Sequence, residues 1–191
     1  KNPSYASWLI NPEILKKSRF KDEMYNDLSY MFSKLVVSGA NPSISYKEKA
    51  NSLRRFRNME FLRIGLRDLM KEADTIETIE DLSNVADICL QIAYEYCHSE
   101  LESKYGIPYF EDELIGLKRK CEFVILAMGK HGGRELNFSS DIDLLYIYSS
   151  DKGMTSGIES TDGKIENQIT NHEYFVQLSR MVTKMVSEIT D

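Results

Sequence analysis

No stretch of about 18 apolar residues occurs in the 191-residue sequence, so no membrane-spanning helix is expected. The opening residues, from Lys1 to Ile10 with Pro3 and Trp8, lack the basic, apolar and small-residue succession of a signal peptide. Together these absences lead to the expectation of a soluble, cytoplasmic protein with no membrane partner. Cysteine is scarce and odd in number: Cys89, Cys97 and Cys121 stand in apolar surroundings without metal-ligand spacing. That excludes a disulfide framework and reads as reduced core thiols. Basic charge is not in excess either, since 24 Lys and Arg face 30 Asp and Glu for a net charge of −6. A nucleic-acid partner is therefore not expected, because affinity for such a backbone needs many phosphate contacts. The balance is uneven along the chain: residues 1–75 hold 14 basic and 9 acidic side chains, residues 76–191 hold 10 and 21. Helices with differently solvated faces account for such an asymmetry.

What is present is core material. Hydrophobic residues make up 42% of the chain, with 11 Tyr and 8 Phe, enough for one or two packed domains. Asn11-Pro12 reads as an N-cap followed by proline in the first helical turn, and Asn41-Pro42 closes a polar loop, so residues 12–37 are expected as short helices. From about Ser45 to Lys71, Leu53, Phe56, Met59, Phe61, Leu62, Ile64, Leu66, Leu69 and Met70 fall mostly at spacings of three and four, which predicts a long helix with a broad buried face. Thr78, with Asp81 three residues on, is read as the cap of the next helix, which Gly106 and Pro108 end.

Composition changes near residue 121. Phe123-Val-Ile-Leu-Ala-Met128 is a continuous apolar run, the pattern of a strand buried on both faces. A glycine-rich turn and a short helical stretch follow, then a second expected strand, Asp141 to Tyr148. Residues 149–168, rich in Gly, Ser, Thr and Asp, are expected to form a long mobile loop. Asn171 is read as the cap of a last helix whose apolar face is Phe175, Leu178, Val182, Met185, Val186 and Ile189. No internal repeat is visible. The fold class is thus α+β and predominantly helical, with a helical region over 1–118 and a small mixed-sheet domain over 119–191.

The chemistry concentrates in residues 129–144, Gly-Lys-His-Gly-Gly-Arg-Glu-Leu-Asn-Phe-Ser-Ser-Asp-Ile-Asp-Leu. Alternation along a strand puts Asp141 and Asp143 on one face and Ile142 and Leu144 on the other. Two carboxylates that close repel unless a cation sits between them, and paired oxygen donors suit Mg2+, whose shell is completed by water and substrate phosphate. Gly132-Gly133 at a helix mouth would let backbone N–H groups approach an anion. Lys130 and Arg134 flank those glycines and could screen phosphate charge. Other motifs fail on spacing: Lys130 precedes His131 rather than the Ser or Thr of a Walker loop, Leu144 to Tyr146 stand where an EF-hand needs ligands, and no dinucleotide fingerprint occurs. The arginines at 54, 55, 57, 63 and 67 either present a cationic face to phosphate or pair within their helix, Glu60 lying three residues from Arg57 and from Arg63. His131 and His172 read as structural or hydrogen-bonding residues, and His98 as a surface residue.

The string GKHGGRELNFSSDIDLLY resembles the bacterial glutamine synthetase adenylyltransferase/adenylyl-removing enzyme family, within the DNA polymerase β-type nucleotidyltransferases. LRRFRNMEFLRIGLRD, from Leu53 to Asp68, and NHEYFVQLSRMVTKMVSE, from Asn171 to Glu188, resemble the family's helical segments. Members carry two such domains, and the wording around Asp141 together with Arg67-Asp68 is more similar to the amino-terminal, deadenylylating half. The resemblance implies Mg2+-dependent phosphorolysis of AMP from an adenylylated tyrosine of glutamine synthetase, giving ADP. It also implies a PII signalling protein as regulator, nucleotide and phosphate as ligands, and a role in nitrogen metabolism. By the same resemblance Asp141 and Asp143 are the catalytic metal ligands, with Gly132, Gly133, Ser139, Ser140, Lys130 and Arg134 around nucleotide and phosphate. One feature departs from the family pattern: no Arg-Val-Asp-x-Arg-Leu-Arg-Pro segment with a third carboxylate occurs, so the chain is expected to be a fragment that turns over little alone. ATP-dependent adenylylation of glutamine synthetase, or a regulatory, partner-binding role without catalysis, are the alternatives.

Overall fold

The computed structural model describes residues 12–35, 42–112 and 116–187, except for the side chains of residues 12, 13 and 42–45. Its elements run α1 (Pro12–Lys16), α2 (Lys21–Lys34), α3 (Pro42–Met70), α4 (Thr75–Tyr105), β1 (Pro108–Asp112), β2 (Leu117–Lys120), β3 (Phe123–Met128), α5 (Gly129–Gly132), β4 (Asp143–Tyr148), β5 (Met154–Thr155), β6 (Ile158–Glu159), β7 (Ile165–Glu166) and α6 (Asn171–Ser187). The predominantly helical α+β class is what the sequence led us to expect. The chain divides into two compact units. One contains the described residues up to Ile92 with Met128–Asp143, the other Ala93–Ala127 with Leu144–Ser187. Among the described residues, no helix is long and apolar enough to cross a membrane. The expected cap at Asn11 and the loop-closing Asn41, with Trp8 and Ile189, lie outside the described residues.

In the first unit the helices are joined by charge as much as by apolar packing. Leu53, Phe56 and Ile64 of α3 are buried, but so are Glu60, Arg63 and Arg67, while Leu69 and Met70 are exposed. The broad apolar face expected for this helix is therefore a mixed one. Arg63 donates from Nε to Glu60 at 2.7 Å and from Nη2 to Asp81 of α4 at 3.0 Å. Arg67 donates to the Leu15 carbonyl at 3.0 Å and pairs with Glu77, and Arg19 reaches both Glu60 and Asp27. Arg63 and Arg67 thus take the pairing role rather than that of a phosphate-facing surface. The start of α4 also differs from expectation: the cap is Asp74, whose Oδ1 accepts from the Glu77 N–H at 2.8 Å. Thr78 and Asp81 are buried within the helix instead. A buried pair that loses one member leaves a charge uncompensated. Glu60→Gln is therefore expected to cost about 3 to 5 kcal/mol of unfolding free energy, checked by denaturant titration; a loss below about 1 kcal/mol would show the cluster to be solvated.

The second unit holds a three-stranded sheet in the order β2-β1-β5, antiparallel throughout, with Tyr109 opposite Lys120 and Pro108 opposite Thr155. Strand β3 is hydrogen-bonded to β4, and β6 to β7. The inner side of β3 and β4 meets α6 through an aromatic stack: Phe123 lies 5.5 Å from Phe175 and 5.7 Å from Tyr94, and Tyr148 lies 4.6 Å from Phe175. β3 is not buried on both faces as expected. Its exposure alternates, leaving Val124 and Leu126, with Leu145 and Ile147 of β4, open to solvent. His98 is not a surface residue: it is half-buried, its ring 5.4 Å from that of Tyr94 and tilted against it, and burial lowers its pKa despite the opposing pull of Glu102. The three cysteines are free and buried, and burial pushes the Cys89 and Cys97 thiols up to about 12.

Residues 149–168 are built into the second unit rather than forming a mobile loop. Gly153 at φ +92 lets the chain pass so close to the Tyr109 carbonyl that an added Cβ would stand 2.2 Å from it. The cap of α6 is Thr170, which exchanges bonds with Glu173 in a capping box. Asn171 is instead fully buried, its Nδ2 within reach of the Tyr109 and Lys152 carbonyls at 2.9 and 2.6 Å. Asn171→Ala is expected to cost about 2 to 3 kcal/mol, because two part-buried carbonyls lose a partner and a fully buried side chain is removed, against about 1 kcal/mol for Thr170→Ala. Urea unfolding midpoints check the order, and the reverse order would restore Asn171 as the cap.

Candidate functional site

Two carboxylates and one turn make up the site, all within the first unit. Asp141 precedes the strand, which begins at Asp143 rather than at Asp141 as expected. The alternation nevertheless persists: Asp141 and Asp143 are exposed, with Ile142 half-buried between them. At the end of β3 the chain turns at Gly129, whose φ of +55 lies in the region that favours glycine. A Cβ there would stand 3.0 Å from Asp143 Oδ2. The missing side chain is thus what lets the Asp143 carboxylate lie against the turn.

Residues 129–140 depart from the expected arrangement. Gly129–Gly132 is a single helical turn, so Gly132 and Gly133 stand at its end and not at a helix mouth. The Gly133 N–H is taken by the Gly129 carbonyl at 3.0 Å, and those of Arg134 and Glu135 by His131 and Lys130. The seven-residue spacer is a turn with no helix. Asn137 organises it, accepting from the Ser139 N–H and hydroxyl at 3.0 Å while its own N–H donates to Ser140 Oγ. Ser139 and Ser140 therefore set the approach of the chain to Asp141. Leu136 is buried, and Phe138 packs edge-on against Phe61 of α3 at 6.1 Å.

The two expected cations separate. Arg134 donates to Asp87 at 3.1 Å and to Asn84, both on α4, and its φ is +56. Lys130 is exposed, and its side chain has no hydrogen bond or ion pair among the described residues. His131 has the structural role expected of it: it is buried, with Nε2 2.8 Å from Asp87. His172 likewise serves as a hydrogen-bonding residue, its Nδ1 3.0 Å from the Tyr148 hydroxyl. Asp87 itself was not singled out from the sequence. Its signal is a lone carboxylate inside the apolar run Val85 to Ala93.

Two hard oxygen donors beside a glycine-lined turn match the donor set that Mg2+ accepts when water and phosphate complete its shell. No cluster of three His, Cys, Asp or Glu that could hold a metal occurs among the described residues. Such a pair, following a strand and a tight turn, is the arrangement that the sequence resemblance led us to expect of a nucleotidyltransferase. Comparison with known sequences then narrows it. The model described as glutamate-ammonia ligase adenylyltransferase matches residues 9–191, and the chain belongs to that family. Similar curated proteins are each described as a bifunctional glutamine synthetase adenylyltransferase/adenylyl-removing enzyme. Those of Nitrosomonas europaea and Bordetella pertussis are 37% and 32% identical over 84% and 98% of this chain. That of Thioalkalivibrio sulfidiphilus is 36% identical over 72%. The chain spans only 13% to 18% of the length of these relatives.

The glycine makes a direct test. Gly129→Ala forces a side chain into a left-handed φ and against Asp143, and is expected to cost about 1 to 2 kcal/mol. Denaturant titration checks it, and an unchanged midpoint would show that neither the φ nor the close approach constrains the turn.

Proposed function

We propose that this chain supplies catalytic residues for removing AMP from an adenylylated tyrosine of glutamine synthetase, by Mg2+-dependent phosphorolysis. The observation that carries the reading is the exposed Asp141 and Asp143 pair, with the Asp143 carboxylate laid over Gly129. An oxygen of inorganic phosphate attacks the phosphorus of the AMP group, the bond to the tyrosine oxygen breaks, the phenolate takes a proton, and ADP leaves. Mg2+ bound at the pair would supply charge neutralisation of the phosphoryl oxygens. Asp141 and Asp143 would hold it, and Lys130, uncommitted among the described residues, would meet phosphate charge. Gly132 and Gly133 leave open backbone beside the turn, while Ser139 and Ser140 fix the approach to Asp141. Arg134 contributes to the turn's position rather than to phosphate directly.

Support for the deadenylylating half comes from the resemblance around Asp141 and in Arg67-Asp68. The relatives' shared description names both activities, so adenylylation of glutamine synthetase by ATP is the second reading, in which the same carboxylates serve and pyrophosphate leaves. A cytoplasmic location and a PII signalling protein as regulator belong to the same proposal, and no residue of this chain is assigned to that protein.

The test uses full-length enzyme carrying Asp141→Asn or Asp143→Asn. Phosphate-dependent ADP release from adenylylated glutamine synthetase is expected to fall by a factor of about 100 or more, since each change keeps size and removes charge from a hard-cation site. Activity within about tenfold of wild type, a barrier change near 1.4 kcal/mol, would overturn the assignment. Transfer of labelled AMP from ATP is expected to persist, and its loss with deadenylylation retained would give this chain the opposite half.

A further inference from the structure

We propose that Asp87 of α4 is a positioning residue for this site, holding the Gly129–Gly132 turn through His131 and Arg134 so that the Asp143 carboxylate keeps its place. The inference rests on the functional reading above and names a residue outside the metal-binding pair.

A single helical turn does not hold itself, because nucleating one fixes many dihedrals for one hydrogen bond. Two of the four residues here are glycine. Among the described residues, the side-chain hydrogen bonds from residues 129–134 all reach α4, and Asp87 takes most of them. Its Oδ1 lies 2.8 Å from His131 Nε2, and its Oδ2 accepts from Arg134 Nη1 at 3.1 Å and from Lys21 of α2 at 2.6 Å. Asn84 accepts from Arg134 as well, and Glu80 stands 3.9 Å from it. A carboxylate only accepts, so Nε2 of His131 carries the proton. The other ring nitrogen, Nδ1, is buried with no hydrogen-bond partner among the described residues, which leaves Asp87 as the imidazole's one acceptor among them.

A second observation comes from the backbone. Arg134 holds φ +56 without being glycine, a conformation that persists only where its surroundings enforce it. Its guanidinium bonds to Asp87 and Asn84 provide that enforcement. The turn then moves as one piece, because the carbonyls of Gly129, Lys130 and His131 accept from the N–H groups of Gly133, Glu135 and Arg134. A displacement at His131 or Arg134 is carried to Gly129, against which Asp143 lies. Burial alone would raise the Asp87 carboxyl, but the hydrogen bonds from His131 and Lys21 outweigh it and hold its pKa well below the usual carboxylate range. The tether is therefore charged at neutral pH. Asp87 is also partly exposed, with side-chain exposure of 33%, so shortening it opens no core cavity.

The experiment compares Asp87→Ala, Asp87→Asn and wild type in the full-length enzyme by two readouts. The first is amide hydrogen exchange, which is independent of turnover. Asp87→Ala is expected to speed exchange at residues 129–135 by about tenfold or more while leaving α6 and α3 at wild-type rates. The second is deadenylylation kinetics: kcat is expected to fall by about tenfold or more, with KM for adenylylated glutamine synthetase within twofold of wild type. Asp87→Asn, which keeps an oxygen for His131, is expected to recover part of both. Unchanged exchange in the turn overturns the tether, as does acceleration spread evenly over the chain. Accelerated exchange with undiminished kcat, or a change in KM alone, overturns the positioning role. If Asp141→Asn leaves deadenylylation intact, it is the functional reading that fails, and the exchange data still decide whether Asp87 holds the turn.

Discussion

A buried charge must be answered where it stands, and in the first unit that requirement orders the helices. Glu60, Arg63, Arg67 and Asp81 are all buried, and each would cost several kcal/mol if left alone. Their mutual bonds fix the register of α3 against α4, and Arg67 adds the end of α1 through the Leu15 carbonyl. Helix α4 is thereby held in rotation as well as position. Six residues beyond Asp81, and on a different side of the same helix, Asp87 receives His131 and Arg134. The placement of Asp143 thus depends, through Gly129 and α4, on ionic packing far from it in sequence.

Helical periodicity made the long helices legible, yet it misjudged what they bury. Arginines and glutamates in α3 count as surface residues in any pattern of apolar spacing, and only the three-dimensional arrangement shows that they neutralise one another inside. The caps shifted for a related reason. Thr78, Asp81 and Asn171 have the right side chains for a cap, but all three are buried, Asp81 against Arg63 and Asn171 against the Tyr109 and Lys152 carbonyls, leaving Asp74 and Thr170 to close the helix ends. Residues 149–168 have the composition of a loop, and it is their glycines, as at Gly153, that allow close backbone approach and hence order. An apolar run such as Phe123 to Met128 says that a strand forms, and it does not say which of its faces is covered.

The acidic pair was legible because strand alternation is a local property that survives even where Asp141 falls just outside the regular strand. The anion cradle at Gly132-Gly133 was not, because a pair of glycines does not reveal whether a helix begins or ends there. It ends, and the Gly133 N–H is spent inside the turn. Arg134 was misplaced by the same kind of limit: its partner, Asp87, lies 47 residues earlier, beyond the reach of any spacing argument.

The distribution of charge that results has a consequence for the proposed chemistry. Around the turn Asp141, Asp143 and Glu135 are exposed, and the exposed Lys130 side chain has no hydrogen bond or ion pair among the described residues. Arg134, which would have offset them, is bound to Asp87. The local balance is therefore negative, and phosphate and a nucleotidyl phosphate approaching it would be repelled. On the proposed reading a divalent cation at the pair removes that repulsion, so that anionic substrates meet a favourable field only once the carboxylates are neutralised. On that reading, tying Arg134 to α4 holds the turn in place and would keep phosphate binding dependent on the cation, which a free guanidinium beside the glycines would partly bypass.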